Sequence, residues 1–332
     1  MTAAIAASLQ GAAEAELARW RAGVGELTDG RYEVTRLIAR GGMSVVLLGW
    51  DREERRAVAL KLLDPEQGST VEDRERFRRE ARIASELAHP HIVPCWGSYH
   101  RGNLTLTVLR HIPGLSLADR LEKAGRLTTR EVLAILTPLA DALAHAHQRG
   151  VIHRDVKPAN ILLHAEDGWP FLTDFGVATL RTSEHSRSEV ARGFGTPAYM
   201  APEQVLGQWD ADGRSDIYSL GVVAYQLLAG RLPFSSETTM GLAVQRTVYD
   251  APPLAEVAPW VPERLAVIVD RCLARQPGRR WRSMAQVHRA LARCRGRLLQ
   301  AEGAPRGLVA RVERWLGRVW TAVPRFASFL LL

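Results

Sequence analysis

The sequence predicts an α+β protein of two lobes, a smaller strand-rich half followed by a larger helical half, with a cleft between them. Three observations carry this expectation. From Tyr32 to about Val108 the segments YEVTRLIA, SVVLLGW and AVALKLL alternate or cluster β-branched and aliphatic residues, as strands do. Beyond Pro113-Gly114 the apolar residues recur at helical spacing, as in EVLAILTPLADALAHAH and SDIYSLGVVAYQLLAG. A length of 332 residues, 46% of them hydrophobic, suits about two domains or one large two-lobed unit and excludes a disordered chain.

The elements follow in order. Residues 1–24 are rich in alanine with leucines and a tryptophan, the composition of a helix laid against the body. Thr28-Asp29-Gly30 marks a break before the first strand. One helix interrupts the strands around Glu72–Ala88, where Phe77, Ala81, Ala84 and Leu87 share a face. Among the later helices, NILLH and PFLTDF form a short hairpin-like pair of strands.

Composition narrows the function classes. Three widely spaced cysteines, Cys95, Cys272 and Cys294, exclude a disulfide framework and a cysteine-based zinc site and point to a reducing compartment. The first residues lack an early positive charge and carry Glu14 and Glu16, so no signal peptide is expected. No run of eighteen uncharged apolar residues occurs, which argues against a spanning helix leading to a sensor domain. A cytoplasmic location is therefore expected. The formal charge is +8, yet no arginine-rich block and no zinc-finger or basic-zipper spacing appears, so nucleic acid is not an expected partner. Among 44 basic residues only Lys61, Lys123 and Lys157 are lysine. Genomic base composition explains the arginine excess; the surviving lysines mark places where a compact ammonium is needed.

The chemistry-bearing motifs begin at Ala39-Arg40-Gly41-Gly42-Met43-Ser44-Val45-Val46. Paired glycines between strands let the backbone lie close over a bulky anion, although alone such a pair usually only makes a hairpin. Strand alternation places Lys61 with Ala59 and Leu63, a partly buried position for a charge. Glu80 falls within the apolar stripe of its helix, where a carboxylate is costly unless a cation meets it. Lys61 is its natural partner; Arg79 is the alternative, but it points off that face. The sharpest segment is His153-Arg154-Asp155-Val156-Lys157-Pro158-Ala159-Asn160, followed by Asp174-Phe175-Gly176. A loop carboxylate, an ammonium and an amide at this spacing can orient a hydroxyl, neutralise a phosphate and hold a metal that Asp174 shares. Magnesium needs few protein oxygens besides phosphate oxygens.

With these motifs in this order, the chain resembles a eukaryotic-type (Hanks-type) serine/threonine protein kinase of the bacterial branch, over roughly residues 31–295. The resemblance implies a bilobal kinase fold, with an N-lobe over about 31–112, a C-lobe over about 113–295 and the active site between them. Residues 1–30 are then a helical extension and residues 296–332 a tail. Lys157 and Gly195-Thr196-Pro197-Ala198-Tyr199 resemble the serine/threonine rather than the tyrosine branch, and Ala201-Pro202-Glu203 completes the pattern.

Carried residue by residue, the resemblance implies ATP and Mg2+ as cofactors and protein serine or threonine hydroxyls as acceptors. Lys61, held by Glu80, contacts the α- and β-phosphates. Asp155 orients the incoming hydroxyl or takes its proton, Lys157 stabilises charge on the γ-phosphoryl group, and Asn160 and Asp174 hold magnesium. Ala39, Gly41, Gly42 and Val46 belong to the loop over the nucleotide, and Arg110 and Ile112 to the hinge segment after the gatekeeper Leu109. The chain departs from the family pattern in three places. Ala39 stands at the usual first glycine, Ser44 at the third, and Arg110-His111 replaces an acidic–aromatic pair. The resemblance further implies that Asp216 braces the catalytic loop and that Arg280 pairs with Glu203. Arg154 is implied to receive a phosphate from the activation segment, with Thr182, Ser183, Ser186 and Ser188 as candidates; the alternative is that Glu184 or Glu189 supplies that charge.

The tail contains six arginines and two glutamates. Leu308, Val309, Val312, Trp315, Leu316, Val319 and Trp320 share one helical face opposite Arg311, Arg314 and Arg318. Such a helix can lie on the inner face of an anionic membrane or dock on the helical lobe or a partner protein; docking is the preferred expectation. Rival functional classes are a nucleotide-binding pseudokinase scaffold and a kinase of small molecules. The second fits poorly with Gly195–Glu203, which resembles a peptide-binding segment.

Overall fold

The computed structural model describes residues 2–41, 44–64, 70–175, 197–208 and 212–301, with the backbone alone for 2–13, 72, 76 and 301. Helix α1 (Thr2–Leu27) precedes strands β1 (Tyr32–Arg40), β2 (Ser44–Asp51) and β3 (Arg56–Leu63). Helix α2 (Val71–Glu86), β4 (Cys95–Arg101) and β5 (Leu104–Arg110) complete the N-lobe. Its five strands form one antiparallel sheet in the order β1-β2-β3-β5-β4. The C-lobe opens with β6 (Gly114–Ser116), α3 (Leu117–Ala124) and α4 (Thr129–Gln148), then the hairpin β7 (Ile161–His164) and β8 (Pro170–Leu172). Helices α5 (Pro202–Val205), α6 (Arg214–Ala229), α7 (Thr239–Val248), α8 (Leu254–Val257), α9 (Glu263–Cys272) and α10 (Met284–Ala301) follow.

Local chemistry sets the helix ends. The Thr70 side chain accepts from the backbone of Asp73 at 3.1 Å and starts α2 close to the expected position. A reciprocal capping box between Thr128 and Glu131 starts α4. Helix α1 runs three residues past Val24, because Thr28 closes the last turn with a side-chain bond to the Val24 carbonyl at 2.8 Å. Asp29 and Gly30 then turn the chain, both at positive φ. Helix α10 crosses the 295/296 boundary expected between domain and tail without a break and reaches Ala301.

Strand alternation decides what each face of the large sheet does. Val45, Leu47, Val58, Leu60, Leu62, Leu106 and Val108 are buried on one face with Trp20, Val24 and Leu27 of α1. Each large side chain so buried contributes about 1.5–3 kcal/mol relative to exposure. The opposite face, carrying Ala59 and Lys61, turns to the cleft. A second, larger cluster fills the helical lobe around Leu133, Leu136, Leu143, Tyr218 and Leu265. A third, of Val93, Ile112 and Phe171, packs where the two lobes join. At that join the backbone of Val93 donates to Leu172 at 2.9 Å and that of Leu172 to His91 at 2.8 Å. Gly114 admits no substitute: its φ is 152°, and a Cβ there would stand 1.9 Å from the Leu163 carbonyl oxygen.

His91 sits in the same join, stacked on Trp169 with its Nδ1 donating to the Pro170 carbonyl at 2.8 Å. Burial pushes its pKa from 6.5 down to about 4, against the Pro170 bond that favours the proton, with His89 and Arg295 lowering it and Asp141 raising it. Between those two values the unfolded chain binds a proton that the folded chain does not. Stability is therefore intact above the unfolded value and is lost as pH falls toward the folded one. Urea titrations at about pH 7 and about pH 5 should show a loss of about 1–2 kcal/mol from this group, a loss that His91→Asn removes.

Candidate active site

The cleft face of the sheet lines up the predicted nucleotide residues. Ala39 pairs with Val46, Val46 with Lys61 and Lys61 with Thr107, one transverse row across four strands. The next row places Leu48, Ala59 and Leu109 together. Between β1 and β2 the Gly41 backbone donates to the Ser44 carbonyl at 2.7 Å, closing the turn; Gly42 lies outside the described residues. On the hinge, the Arg110 backbone donates to the Pro94 carbonyl at 2.9 Å and its guanidinium lies 5.5 Å from the Phe171 ring centre. The side chain of Ile112 is committed to packing with Val93 and Phe171, so its backbone is the part suited to face a ligand.

Lys61 meets two carboxylates. Its Nζ lies 2.8 Å from Asp174 Oδ1 and 3.6 Å from Glu80 Oε2. Arg79 is exposed, as its place on the helix predicts. Burial alone would lower the Lys61 pKa; the Asp174 and Glu80 charges outweigh it and hold the ammonium above its ordinary range. Burial likewise disfavours ionised Asp174, and the Lys61 charge and hydrogen bond reverse that effect, leaving its pKa below the usual carboxylate value. Asp174 has φ 60°, while the next side chain, Phe175, is buried in the helical lobe 4.6 Å from the His153 ring. The turn sends one side chain into the core and its neighbour into the cleft.

The catalytic-loop sequence is held from beneath by Asp216, in the first turn of α6. Asp216 is fully buried; its Oδ2 accepts from the His153 backbone at 2.9 Å and its Oδ1 from the Arg154 backbone at 2.8 Å. His147 Nε2 reaches Oδ2 at 2.7 Å. Desolvation would raise the Asp216 pKa, but the His147 hydrogen bond and charge, with the backbone donors, leave it lowered. Arg154 takes φ 63°, a conformation costing of order 1–3 kcal/mol for such a residue. Asp216 holds it there, and the Arg154 carbonyl accepts from Gln204 Nε2 at 3.1 Å. His153 donates from Nε2 to the Thr173 carbonyl at 3.0 Å and accepts the Asp155 backbone N–H on Nδ1 at 3.2 Å. Asp155 is thereby presented to the cleft. Its Oδ2 lies 2.8 Å from Lys157 Nζ and 2.9 Å from Asn160 Nδ2.

Glu203 and Arg280 form the expected pair, with two parallel bonds of 2.6 and 2.7 Å in the interior. Arg280 also donates to the carbonyls of Ala274, Arg214 and Arg275, so all five guanidinium N–H groups have acceptors. Three residues that sequence reasoning missed act nearby. His147 supports Asp216. Gln204 links the segment 197–204 to the catalytic loop. Arg246 of α7, fully buried, donates to the carbonyls of Ala198 and Met200 at 2.8 Å each. The abundance of arginine along the chain gave Arg246 no distinguishing mark. Thr182, Ser183, Ser186 and Ser188 lie outside the described residues.

Lys61 and Glu80 from the N-lobe, and Asp155, Lys157, Asn160 and Asp174 from the C-lobe, thus share one crevice. A comparison with known families matches residues 32–291 to the protein kinase domain. The chain belongs to that family, and its fold is the bilobal α+β kinase fold. Its relatives are bacterial serine/threonine kinases. It is 36% identical over 261 residues to the serine/threonine-protein kinase PrkC of Bacillus subtilis, covering 78% of this chain and 39% of that one. It is 38% identical over 257 residues to the serine/threonine-protein kinase PknL of Mycobacterium tuberculosis, covering 77% of this chain and 63% of the relative. The chain therefore spans less than two-thirds of the length of these curated relatives. Among solved structures, the kinase domain of Mycobacterium tuberculosis PknI aligns with a TM-score of 0.62 at 31% identity, over 79% of this chain and 96% of the other.

The buried ion pair yields a direct test. Arg280→Met leaves the Glu203 carboxylate without its cation, and urea denaturation should show a loss of about 3–5 kcal/mol. Glu203→Gln with Arg280 intact should cost less, because a neutral amide can still accept.

Proposed function

We propose that the chain transfers the γ-phosphoryl group of ATP to serine or threonine hydroxyls of proteins. The observation that carries this reading is Lys61 drawn between Glu80 and Asp174 in the same crevice as the Asp155–Lys157–Asn160 cluster. The acceptor hydroxyl forms a bond to the γ-phosphorus, the bond to the β–γ bridging oxygen breaks, and ADP leaves. Asp155 orients that hydroxyl and takes its proton. Lys157 neutralises charge on the transferred group, and Lys61 does so on the α- and β-phosphates. Positioning and electrostatic stabilisation supply the rate, since phosphoryl transfer asks little covalent work of the protein.

The donors fit magnesium. Among the described residues no cluster of three or more histidine, cysteine or acidic groups could hold a metal, whereas Mg2+ needs only one or two hard protein oxygens. Asn160 commits its amide nitrogen to Asp155, so its amide oxygen suits a cation, together with the Asp174 carboxylate. When bound, the ion neutralises charge on the β- and γ-phosphate oxygens. Ala39, Gly41, Gly42 and Val46 cover the nucleotide, and the backbones of Arg110 and Ile112 meet its base.

The proposed organisation is a helical extension over 1–30, a kinase domain over 31–295 and a basic tail over 296–332 that docks on the helical lobe or a partner. The tail beyond Ala301 lies outside the described residues. No helix among the described residues is long and apolar enough to cross a membrane; a cytoplasmic location is proposed. Arg154 is proposed to receive a phosphate placed within Thr182–Ser188 by autophosphorylation.

Incubation with labelled ATP, magnesium and a generic basic protein tests the activity. Asp155→Asn should lower kcat by about 10²–10⁴-fold while ATP still binds. ATP binding by the unaltered chain without transfer would instead identify a scaffold, and transfer only to a metabolite a small-molecule kinase. Mass-spectrometric mapping of the active enzyme should find phosphate within Thr182–Ser188; full activity without it there rejects the regulatory assignment.

A further inference from the structure

Outside the cleft, a polar network runs from α1 to the root of the glycine-rich loop. Trp20 is buried in the N-lobe core and donates from its indole Nε1 to Glu16 Oε1 at 3.2 Å. The same carboxylate oxygen meets Nη2 of Arg40, the last residue of β1 and the neighbour of Gly41. Nη1 of Arg40 donates in turn to Asp64 Oδ2 at 3.1 Å. Asp64 directly follows β3, the strand that carries Lys61, and is only 2% exposed. Five residues beyond Glu16, Arg21 donates from Nε to the Val34 carbonyl at 3.1 Å and from Nη2 to the Thr35 carbonyl at 3.2 Å.

These contacts fall where the sheet is weakest. β1 is an edge strand, and its pairing with β2 slips twice, between Val34 and Arg36 and between Leu37 and Ala39. Each slip interrupts the ladder that would otherwise fix the strand. Arg21 grips the carbonyls at the first irregularity, and Arg40 is held immediately after the second. The residues beyond that point, Arg40 and Gly41, lead into the loop.

We propose that α1 is a positioning element of the nucleotide site: through Arg40, Glu16 fixes the root of the glycine-rich loop relative to the strand bearing Lys61. The inference rests on the kinase reading above and deepens it. Glu16 touches no substrate. It narrows the range of loop positions, so that nucleotide binding does not have to supply that ordering. Its loss weakens nucleotide affinity and spares the chemical step.

Calorimetric titration of the full chain with Mg–ATP, alongside steady-state kinetics and thermal melting, tests this. Glu16→Gln should raise the dissociation constant and the KM for ATP by about three- to ten-fold, with kcat changed by less than about two-fold. The KM for the protein acceptor and the melting temperature should stay near those of the unaltered chain. Arg21→Gln should act in the same direction. Arg52→Gln, which removes an exposed pair between the turn after β2 and Glu33 of β1, should leave ATP affinity unchanged. Unchanged affinity in Glu16→Gln, or a fall in kcat at unchanged affinity, overturns the proposal while leaving the kinase reading in place. An unaltered chain that binds no Mg–ATP overturns both.

Discussion

One ammonium sets the geometry of the cleft. Lys61 lies on the face of the sheet turned away from the N-lobe core, where an unpaired charge would be costly. It is satisfied by a carboxylate from α2 and by another 113 residues away in the helical lobe. Neither partner is local, so satisfying Lys61 requires the sheet, α2 and the segment after β8 to come together. The trio carries one net negative charge, which favours a further cation at the same spot. The electrostatics of three side chains therefore tie the two lobes together and set the charge between them.

The helical lobe solves the problem of buried charge in two other ways. Asp216 accepts from two backbone N–H groups and a histidine, and uses that bonding to impose a left-handed residue just before Asp155. Arg280 has an acceptor for each of its donors and ties Glu203 of α5 to the start of α6 and the approach to α10. Lysine, with three donors and no planar fork, could not replace it. One group positions a loop and the other immobilises a platform, and both depend on complete hydrogen bonding, which low dielectric makes necessary.

Much of this was legible in the sequence, for physical reasons. Strand period and helix period differ, so the two lobes separate on pattern alone. A carboxylate on the apolar stripe of α2 predicts a cation, and the loop spacing from His153 to Asn160 predicts convergence. Other features carried no such mark. Arg246 and Ala198 are 48 residues apart, and nothing local in the chain announces that one will hold the other. An arginine-rich composition hides a structural arginine among solvated ones. The two slips in β1 lie in its register with β2, so the demand they place on Arg21, Arg40 and Glu16 emerges only from the pairing. The slightly longer α1 reflects a threonine bonding back to its own helix, a local competition that apolar periodicity does not register.

The scarcity of lysine has an experimental use. Lys123 is exposed at the end of α3, whereas Lys61 is kept protonated between two carboxylates and Lys157 leans on Asp155. Acylating reagents reach the exposed Lys123, whereas the ammonium form of Lys61 held by its two carboxylates is spared. Any event that draws Asp174 or Glu80 away would unmask a single new modification site, turning the cleft's internal pairing into a footprint readable by peptide mass.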